Sequence, residues 1–221
     1  MQFASLCVLS YERYDFLVKS LESLTSRTSY PFELVINDDG STDKRVKEYL
    51  YNLLERKKLS NLIINAGSNM GVGKSLRNCI GVSTGEYIFK LDADLEYKPL
   101  WLEKAVSILD KNRDVGCLGL FDYRNYDLND KRFEKLEERE DCFVVTDFVN
   151  SGYGFKRQTW LEFGEKIGDD GWQCYVQSQG RVSLIPKEDL VINFGFGSNS
   201  IYIENGKARE KSEFPLVFDE R

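Results

Sequence analysis

Within its first hundred residues the sequence passes four times from a short apolar run into a segment of helical periodicity. Residues 3–10 (FASLCVLS) are followed by Phe16, Leu17, Leu21 and Leu24, which share one face of a helix. FELVIN (32–37) is followed by Val46, Tyr49, Leu50 and Leu53 at the same spacing. LIIN (62–65) precedes a helix starting near Gly71 to Gly73, and EYIFKL (86–91) precedes one at about 99–111. Strands that alternate with helices pair in parallel, because each helix returns the chain across the sheet by a right-handed crossover. The expected fold class is α/β: one Rossmann-like domain with a mostly parallel central sheet flanked by helices. A chain of 221 residues suits one such domain with a full core and is short for two. Ligands of open α/β sheets sit beyond the carboxyl ends of the strands, so the residues just after each strand carry the functional information.

Beyond residue 98 the order is less regular. VGCLGLF (115–121), FVVTDF (143–148) and RVSLI (181–185) read as strands, with helices near 157–164 and 170–179. Between them DYRNYDLNDKRFEKLEERED (122–141) is strongly charged, and reads as solvated surface or as a mobile loop over a ligand. The polar tail from about 200, with IENGKAREKSE, reads as a flap or an unordered end.

Several function classes are excluded by what is missing. The chain has no histidine, which removes the Ser-His-Asp triad, the Cys-His pair and HExxH zinc sites together. Acid-base or metal chemistry must therefore run mainly on carboxylates. The net charge of −6, with no long basic run, argues against nucleic acid or an acidic membrane surface as partner. Cys7, Cys79, Cys117, Cys142 and Cys174 are scattered, without a CxxC pair, and read as reduced, mostly buried thiols. No stretch approaches the roughly 20 apolar residues of a transmembrane helix, and the first residues lack the basic start of a targeting peptide. A soluble, cytoplasmic protein is expected.

Carboxylates stand after two of the strands. Asn37-Asp38-Asp39-Gly40-Ser41-Thr42-Asp43 has the glycine, hydroxyls and final acid of a tight turn leading into a capped helix. That turn does not require two adjacent acids, and one of them could accept from a base edge or ribose hydroxyls in the crevice. After the fourth strand, Asp92-Ala93-Asp94 places two carboxylates where the chain leaves its extended conformation, so that both can meet one hard cation, with a diphosphate filling the remaining positions.

These segments together resemble family 2 glycosyltransferases, inverting enzymes of the GT-A fold, well over residues 4–105 and more loosely over 150–186. Ser10-Tyr11-Glu12-Arg13 is similar to the family's Thr-Tyr-Asn-Arg, and NDDGSTD to its Val-Asp-Asp-Gly-Ser-Thr-Asp. Asn69-Met70-Gly71, Arg77-Asn78 and Gly85-Glu86-Tyr87-Ile88 followed by Leu91-Asp92-Ala93-Asp94 complete five matches in order. The resemblance implies a transfer of sugar from a nucleotide-diphosphate sugar, with UDP as the carrier, to an acceptor hydroxyl on a glycan, lipid-linked sugar or glycoprotein. It implies a nucleotide-sugar-binding half at about 1–97, an acceptor-binding half at about 98–190 and a C-terminal flap or tail at about 191–221. Donor binding would fall to Ser10, Tyr11, Arg13, Asp39, Gly40, Arg77, Asp92, Ala93 and Asp94. Among these Tyr11 would lie near the base, Asp39 would accept from its edge, and Arg77 would stay near the base or diphosphate. Asp92 would sit by the ribose or sugar, and Asp94 would bind Mn²⁺ or Mg²⁺ directly, with Asp92 beside it.

Inverting transfer is a direct displacement that needs a base for the acceptor proton. Gly168-Asp169-Asp170-Gly171-Trp172 supplies two candidates: one register of the resemblance selects Asp169, another Asp170, and the same acids also suit a helix N-terminus. The chain departs from many enzymes of this fold in lacking a C-terminal histidine for the metal. Asn193, Asn199 or Glu204, around Phe194-Gly195-Phe196-Gly197-Ser198, could replace it, and that glycine-rich segment reads as a lid or an irregular turn. Tyr153, in Ser151-Gly152-Tyr153-Gly154, is an acceptor-side candidate. Two alternatives stay open. A sugar-phosphate nucleotidyltransferase would need a glycine-rich basic loop after the first strand, which Ser10 to Arg13 does not supply. A non-catalytic nucleotide-sugar or glycan-binding module could dispense with the metal acid and the base. The acceptor could also draw the protein to a membrane surface.

Overall fold

Strand β1 (Ala4–Ser10) is buried along its whole length, because it lies inside a parallel layer with helices on both faces. The structure, a computed structural model, describes residues 2–67, 69–122, 134–147, 151–164, 166, 172–195, 201–204 and 207–210. After β1 come α1 (Tyr14–Arg27), β2 (Phe32–Asp38), α2 (Lys44–Glu55), β3 (Asn61–Ile64), α3 (Val72–Val82) and β4 (Tyr87–Asp92). The alternation predicts the four strands to within one residue at each end, and the apolar positions it assigns to the first two helices fall inside α1 and α2. There follow β5 (Leu95–Tyr97), α4 (Trp101–Lys111), β6 (Val115–Gly119), β7 (Lys135–Glu138), β8 (Cys142–Val145) and β9 (Gly152–Lys156). The chain continues through α5 (Arg157–Phe163), α6 (Trp172–Ser178), β10 (Val182–Pro186) and β11 (Val191–Asn193) to a hairpin of β12 (Ile201–Glu204) and β13 (Lys207–Glu210).

Nine strands form one sheet in the order β3-β2-β1-β4-β9-β6-β10-β8-β7. The run β3-β2-β1-β4 is parallel throughout, and β6 is parallel to β10. β9 runs antiparallel between β4 and β6, and joins the two parallel groups. Alternation along β1 divides the core. Ala4, Leu6 and Val8 pack with Leu17, Leu21 and Trp101 on one face. Cys7 and Leu9 pack with Leu76, Cys79 and Trp172 on the other. This is a three-layer α/β domain, and Cys7, Cys79, Cys117 and Cys142 are buried free thiols within it.

The departures from expectation lie in the second half. β9 is a central strand that periodicity misses, because two glycines leave it no apolar run. Gly154 is required there: an added Cβ would overlap the Phe89 ring of the neighbouring strand. Within the charged segment, Lys135–Glu138 is neither loop nor helix but the exposed outer strand of the sheet, paired to β8. Residues 123–133 of that segment lie outside the described residues. No helix among the described residues is long and apolar enough to cross a membrane.

Candidate active site

The carboxyl ends of β1, β2 and β4 lie side by side, and the chain leaves each of them into a loop that bonds to its neighbours. Ser10, the last residue of β1, accepts the Asp39 N–H on its carbonyl at 2.8 Å. Its own hydroxyl is buried without a hydrogen-bond partner among the described residues. Tyr11 follows, half-buried. Glu12 and Arg13 are both in the left-handed backbone region, with φ of 54° each. Such residues cost about 1 kcal/mol or more apiece outside glycine and need external support. The support comes from the next loop. The Glu12 N–H donates to Ser41 Oγ at 2.8 Å, while the Glu12 carboxylate accepts the Thr42 and Asp43 N–H groups at 2.6 and 3.1 Å.

At the end of β2 the two adjacent acids have separate tasks. Asp38 is fully buried and turns back onto Ser41, accepting its N–H at 3.2 Å and its hydroxyl. Burial raises its pKa against the pull of those bonds. Asp39 points the other way, to the 65–71 loop. Its Oδ1 accepts from Asn65 Nδ2 at 2.6 Å and from the Met70 N–H at 2.9 Å, and its Oδ2 accepts the Gly71 N–H at 2.9 Å. Gly40 has φ +86°, and a Cβ there would lie 2.8 Å from the Gly67 carbonyl oxygen, so the β2 loop and the 65–71 loop touch through backbone. α3 starts at the end of this loop and carries Arg77, half-buried, in its second turn. Asn37 anchors the helix from below, donating to Ser75 Oγ at 3.2 Å and accepting from Asn78 Nδ2 at 3.3 Å.

The end of β4 is electrostatically different. Lys90, 1% exposed in the middle of the sheet, donates to Asp92 Oδ1 at 2.5 Å and sits 5.9 Å from the centroid of Tyr153. Burial pushes the Asp92 carboxyl up to about 6; Asp94 adds to the rise, and Lys90 and Arg13 oppose it. Ala93 is in the turn between β4 and β5. Asp94 Oδ2 accepts from Arg13 Nη1 at 2.8 Å, so the first and fourth strand ends meet in an ion pair. Asp94 Oδ1 and Arg13 Nη2 are both buried without a hydrogen-bond partner among the described residues.

A segment from far along the chain closes over this pair. β11 pairs with β5, and the Phe194 N–H then donates to the Asp94 carbonyl at 3.0 Å. Phe194 stacks on Phe16 at 5.4 Å, and Phe16 carries the Arg13 guanidinium 4.0 Å above its centroid. Gly195 lies so close to Asp94 that an added Cβ would overlap the carboxylate.

The structure thus brings Ser10, Tyr11, Arg13, Asp39, Gly40, Asp92, Ala93 and Asp94 to one edge of the sheet, with Arg77 on the adjoining helix. Asp169, Asp170, Gly171 and Asn199 lie outside the described residues, as does the side chain of Glu204. Asn193 is 4% exposed and accepts the Gly195 N–H at 2.8 Å, which gives it a turn to hold. Tyr153 is 1% exposed, packed against Trp172 and Phe155, and this burial removes it from the acceptor surface. Sequence reasoning missed Lys90, Asn65, Phe16 and Phe194. Lys90 alone had a signal, as a charged residue inside an apolar strand.

No cluster of three or more histidine, cysteine, aspartate or glutamate side chains suited to a metal occurs among the described residues. The pair that is present nevertheless fits a hard divalent cation: Asp94 has a buried oxygen lacking a partner, Asp92 is adjacent, and both offer carboxylate oxygen.

The sequence model of glycosyl transferase family 2 matches residues 5–176. A Haemophilus influenzae protein, described as an uncharacterized glycosyltransferase, is 33% identical over 119 residues, covering 53% of this chain and 36% of that protein. The chain spans little more than a third of the length of such curated relatives. Among solved structures, the mannosyltransferase PcManGT from Pyrobaculum calidifontis, in complex with GDP-Man and Mn²⁺, superposes with a TM-score of 0.63 at 18% identity, over 84% of this chain and 56% of that one. Staphylococcus aureus TarS 1-349, in complex with UDP-GlcNAc, gives 0.64 at 18% identity, over 86% and 58%. At these identities the likeness is one of fold.

Proposed function

The chain belongs to glycosyl transferase family 2, and from that membership we propose that it moves a sugar from a nucleotide-diphosphate sugar, with UDP as carrier, to an acceptor hydroxyl with inversion. The observation that carries this reading is the convergence of Tyr11, Arg13, Asp39, Asp92 and Asp94 on the carboxyl edge of the parallel strands, where α/β sheets hold their ligands. Tyr11 offers a half-exposed ring for the base; stacking of this kind is worth about 1–3 kcal/mol. Asp39, held by three donors from the 65–71 loop, shapes the base pocket and presents its carboxylate edge to the pyrimidine. Arg77 and Arg13 supply positive charge for the diphosphate.

In the reaction the acceptor oxygen attacks the anomeric carbon as the bond to the β-phosphate oxygen breaks, and the nucleoside diphosphate leaves. Asp170 or Asp169 takes the acceptor proton. Mn²⁺ or Mg²⁺, held by Asp94 and Asp92, would stabilise the charge that grows on the leaving diphosphate. The acceptor is a glycan, a lipid-linked sugar or a glycoprotein, and the site of action is the cytoplasm or a membrane surface reached through that acceptor.

Calorimetric titration of UDP into wild type and Asp94→Ala, with and without Mn²⁺, tests the donor site. The expected result is metal-enhanced binding in wild type and loss of the enhancement in the variant. Absence of binding by UDP and by other nucleoside diphosphates, with metal present, would overturn the reading. Donor binding without any release of UDP on a broad acceptor panel would leave a binding module.

A further inference from the structure

The end of β4 presents two carboxylates, and each has a cation of the chain against it. The two cations differ in kind. Lys90 belongs to the central strand, is 1% exposed, and its backbone is paired on both sides. Arg13 belongs to the loop after β1, has a side chain 20% exposed, and reaches Asp94 through one nitrogen. Guanidinium and carboxylate usually meet through two parallel bonds. Here one bond is made, and Nη2 of Arg13 and Oδ1 of Asp94 are left buried and unpartnered among the described residues. An unpaired buried donor and acceptor side by side are costly, and the cost is relieved when each finds its own partner. The chemistry of the two atoms says what those are: a cation for the carboxylate oxygen, and an anionic oxygen for the guanidinium.

We propose that Arg13 is the resting counter-ion of Asp94, standing where a divalent cation would stand, and that arrival of metal and nucleoside diphosphate moves its guanidinium from the carboxylate to the diphosphate. This rests on the donor-site reading above. The roof over the pair belongs to the same device. Arg13 lies on Phe16, Phe16 on Phe194, and Gly195 against the Asp94 carboxylate, so the ion pair and the 191–195 segment share one set of contacts. Lys90 stays in place and keeps Asp92 oriented while the exchange takes place beside it.

The test is a crossed pair of affinities in Arg13→Asn, a substitution that removes the charge and tolerates the left-handed backbone. Mn²⁺ binding is followed by electron paramagnetic resonance of the free ion without nucleotide, and UDP binding by calorimetry at saturating Mn²⁺. The variant is expected to bind Mn²⁺ about tenfold tighter, since a competing cation is gone, and UDP about tenfold more weakly, since one charge-assisted bond to phosphate is lost. Arg13→Lys, which keeps the charge, should leave Mn²⁺ affinity near that of wild type. A folded Arg13→Asn that binds Mn²⁺ no tighter than wild type overturns the proposal. If the variant does not fold, the side-chain nitrogen resonance of Arg13 in wild type decides: it should shift when UDP and Mg²⁺ are added together, and an unmoved resonance at saturation overturns the exchange. Should wild type bind neither metal nor UDP, the donor-site reading falls first, which is distinguishable from an unaltered variant in a wild-type background that binds both.

Discussion

The ends of β2 and β4 each carry a pair of acids at the same edge of the sheet, yet they are built on opposite terms. At β2, Asp38 and Asp39 are satisfied from backbone and neutral side chains: Ser41, Asn65, Met70 and Gly71 supply the donors. At β4, Asp92 and Asp94 are met by the charged side chains of Lys90 and Arg13, and the buried Asp94 Oδ1 has no partner among the described residues. Backbone donors cannot be exchanged without unfolding the loop, whereas a side-chain cation on a loop can be replaced. On the proposed reading the first acid pair is therefore fixed framework, and the second is the pair whose partner can be exchanged. Motif spelling gives two acids in both places and does not separate these roles.

The largest expected effect that would break this contrast is on ligand binding. Asp94→Ala should lower UDP affinity in the presence of Mn²⁺ by about 100-fold and lower stability less than the loss of Asp39 does, because the one cation it strands is on a loop side chain that can turn toward water. A large loss of stability with intact binding would reverse the assignment. Next comes Asp39→Ala, which strands three donors and should cost about 2–4 kcal/mol in chemical denaturation. A value near zero would show that the wall does not depend on its acid. Gly40→Ala, with φ +86° and backbone at 2.8 Å, should cost about 1–3 kcal/mol by the same assay.

The smallest effect is one of pH. Asp92, raised to about 6 chiefly by burial with Asp94 assisting and Lys90 and Arg13 opposing, binds its proton more tightly folded than unfolded. The stability it contributes is full below about pH 4, its unfolded value, and is lost as pH rises through 6. In metal-free buffer Asp92→Asn should accordingly gain melting temperature relative to wild type between pH 4 and 7. A constant difference across that range would mean the carboxyl titrates normally.

The same contrast explains how far the sequence could be read. The first four strands and their helices are legible because each buries a continuous apolar run against a periodic helix face, as Leu6 and Val8 do against Leu17 and Leu21. The candidate site residues of this half follow directly, since the strand ends are known once the strands are. β9 was illegible because what qualifies Gly154 for the sheet centre is the Phe89 ring beside it, a contact some sixty residues distant in sequence. β5 and β11 are three residues each, too short for any period to register. Lys135–Glu138 pairs through its backbone while every side chain faces water, so its letters are those of a solvated loop. The Arg13–Asp94 pair joins residues 81 positions apart, and two acids and a TYNR-like string do not announce that they are bonded.

The antiparallel insertion of β9 also sets an order of events during synthesis. β4 cannot acquire its second neighbour until residues 152–156 exist, roughly sixty residues after Asp92 has been made. At the usual pace of about 5–20 residues per second, the flank of YIFKLD waits roughly 3–12 s with its amides unmatched. An open flank of apolar strand is a template for stray pairing with other nascent chains. Lys90, in the middle of that flank, is a charge that stray pairing of the flank would have to bury without the Tyr153 and Asp92 neighbours it has in the finished sheet.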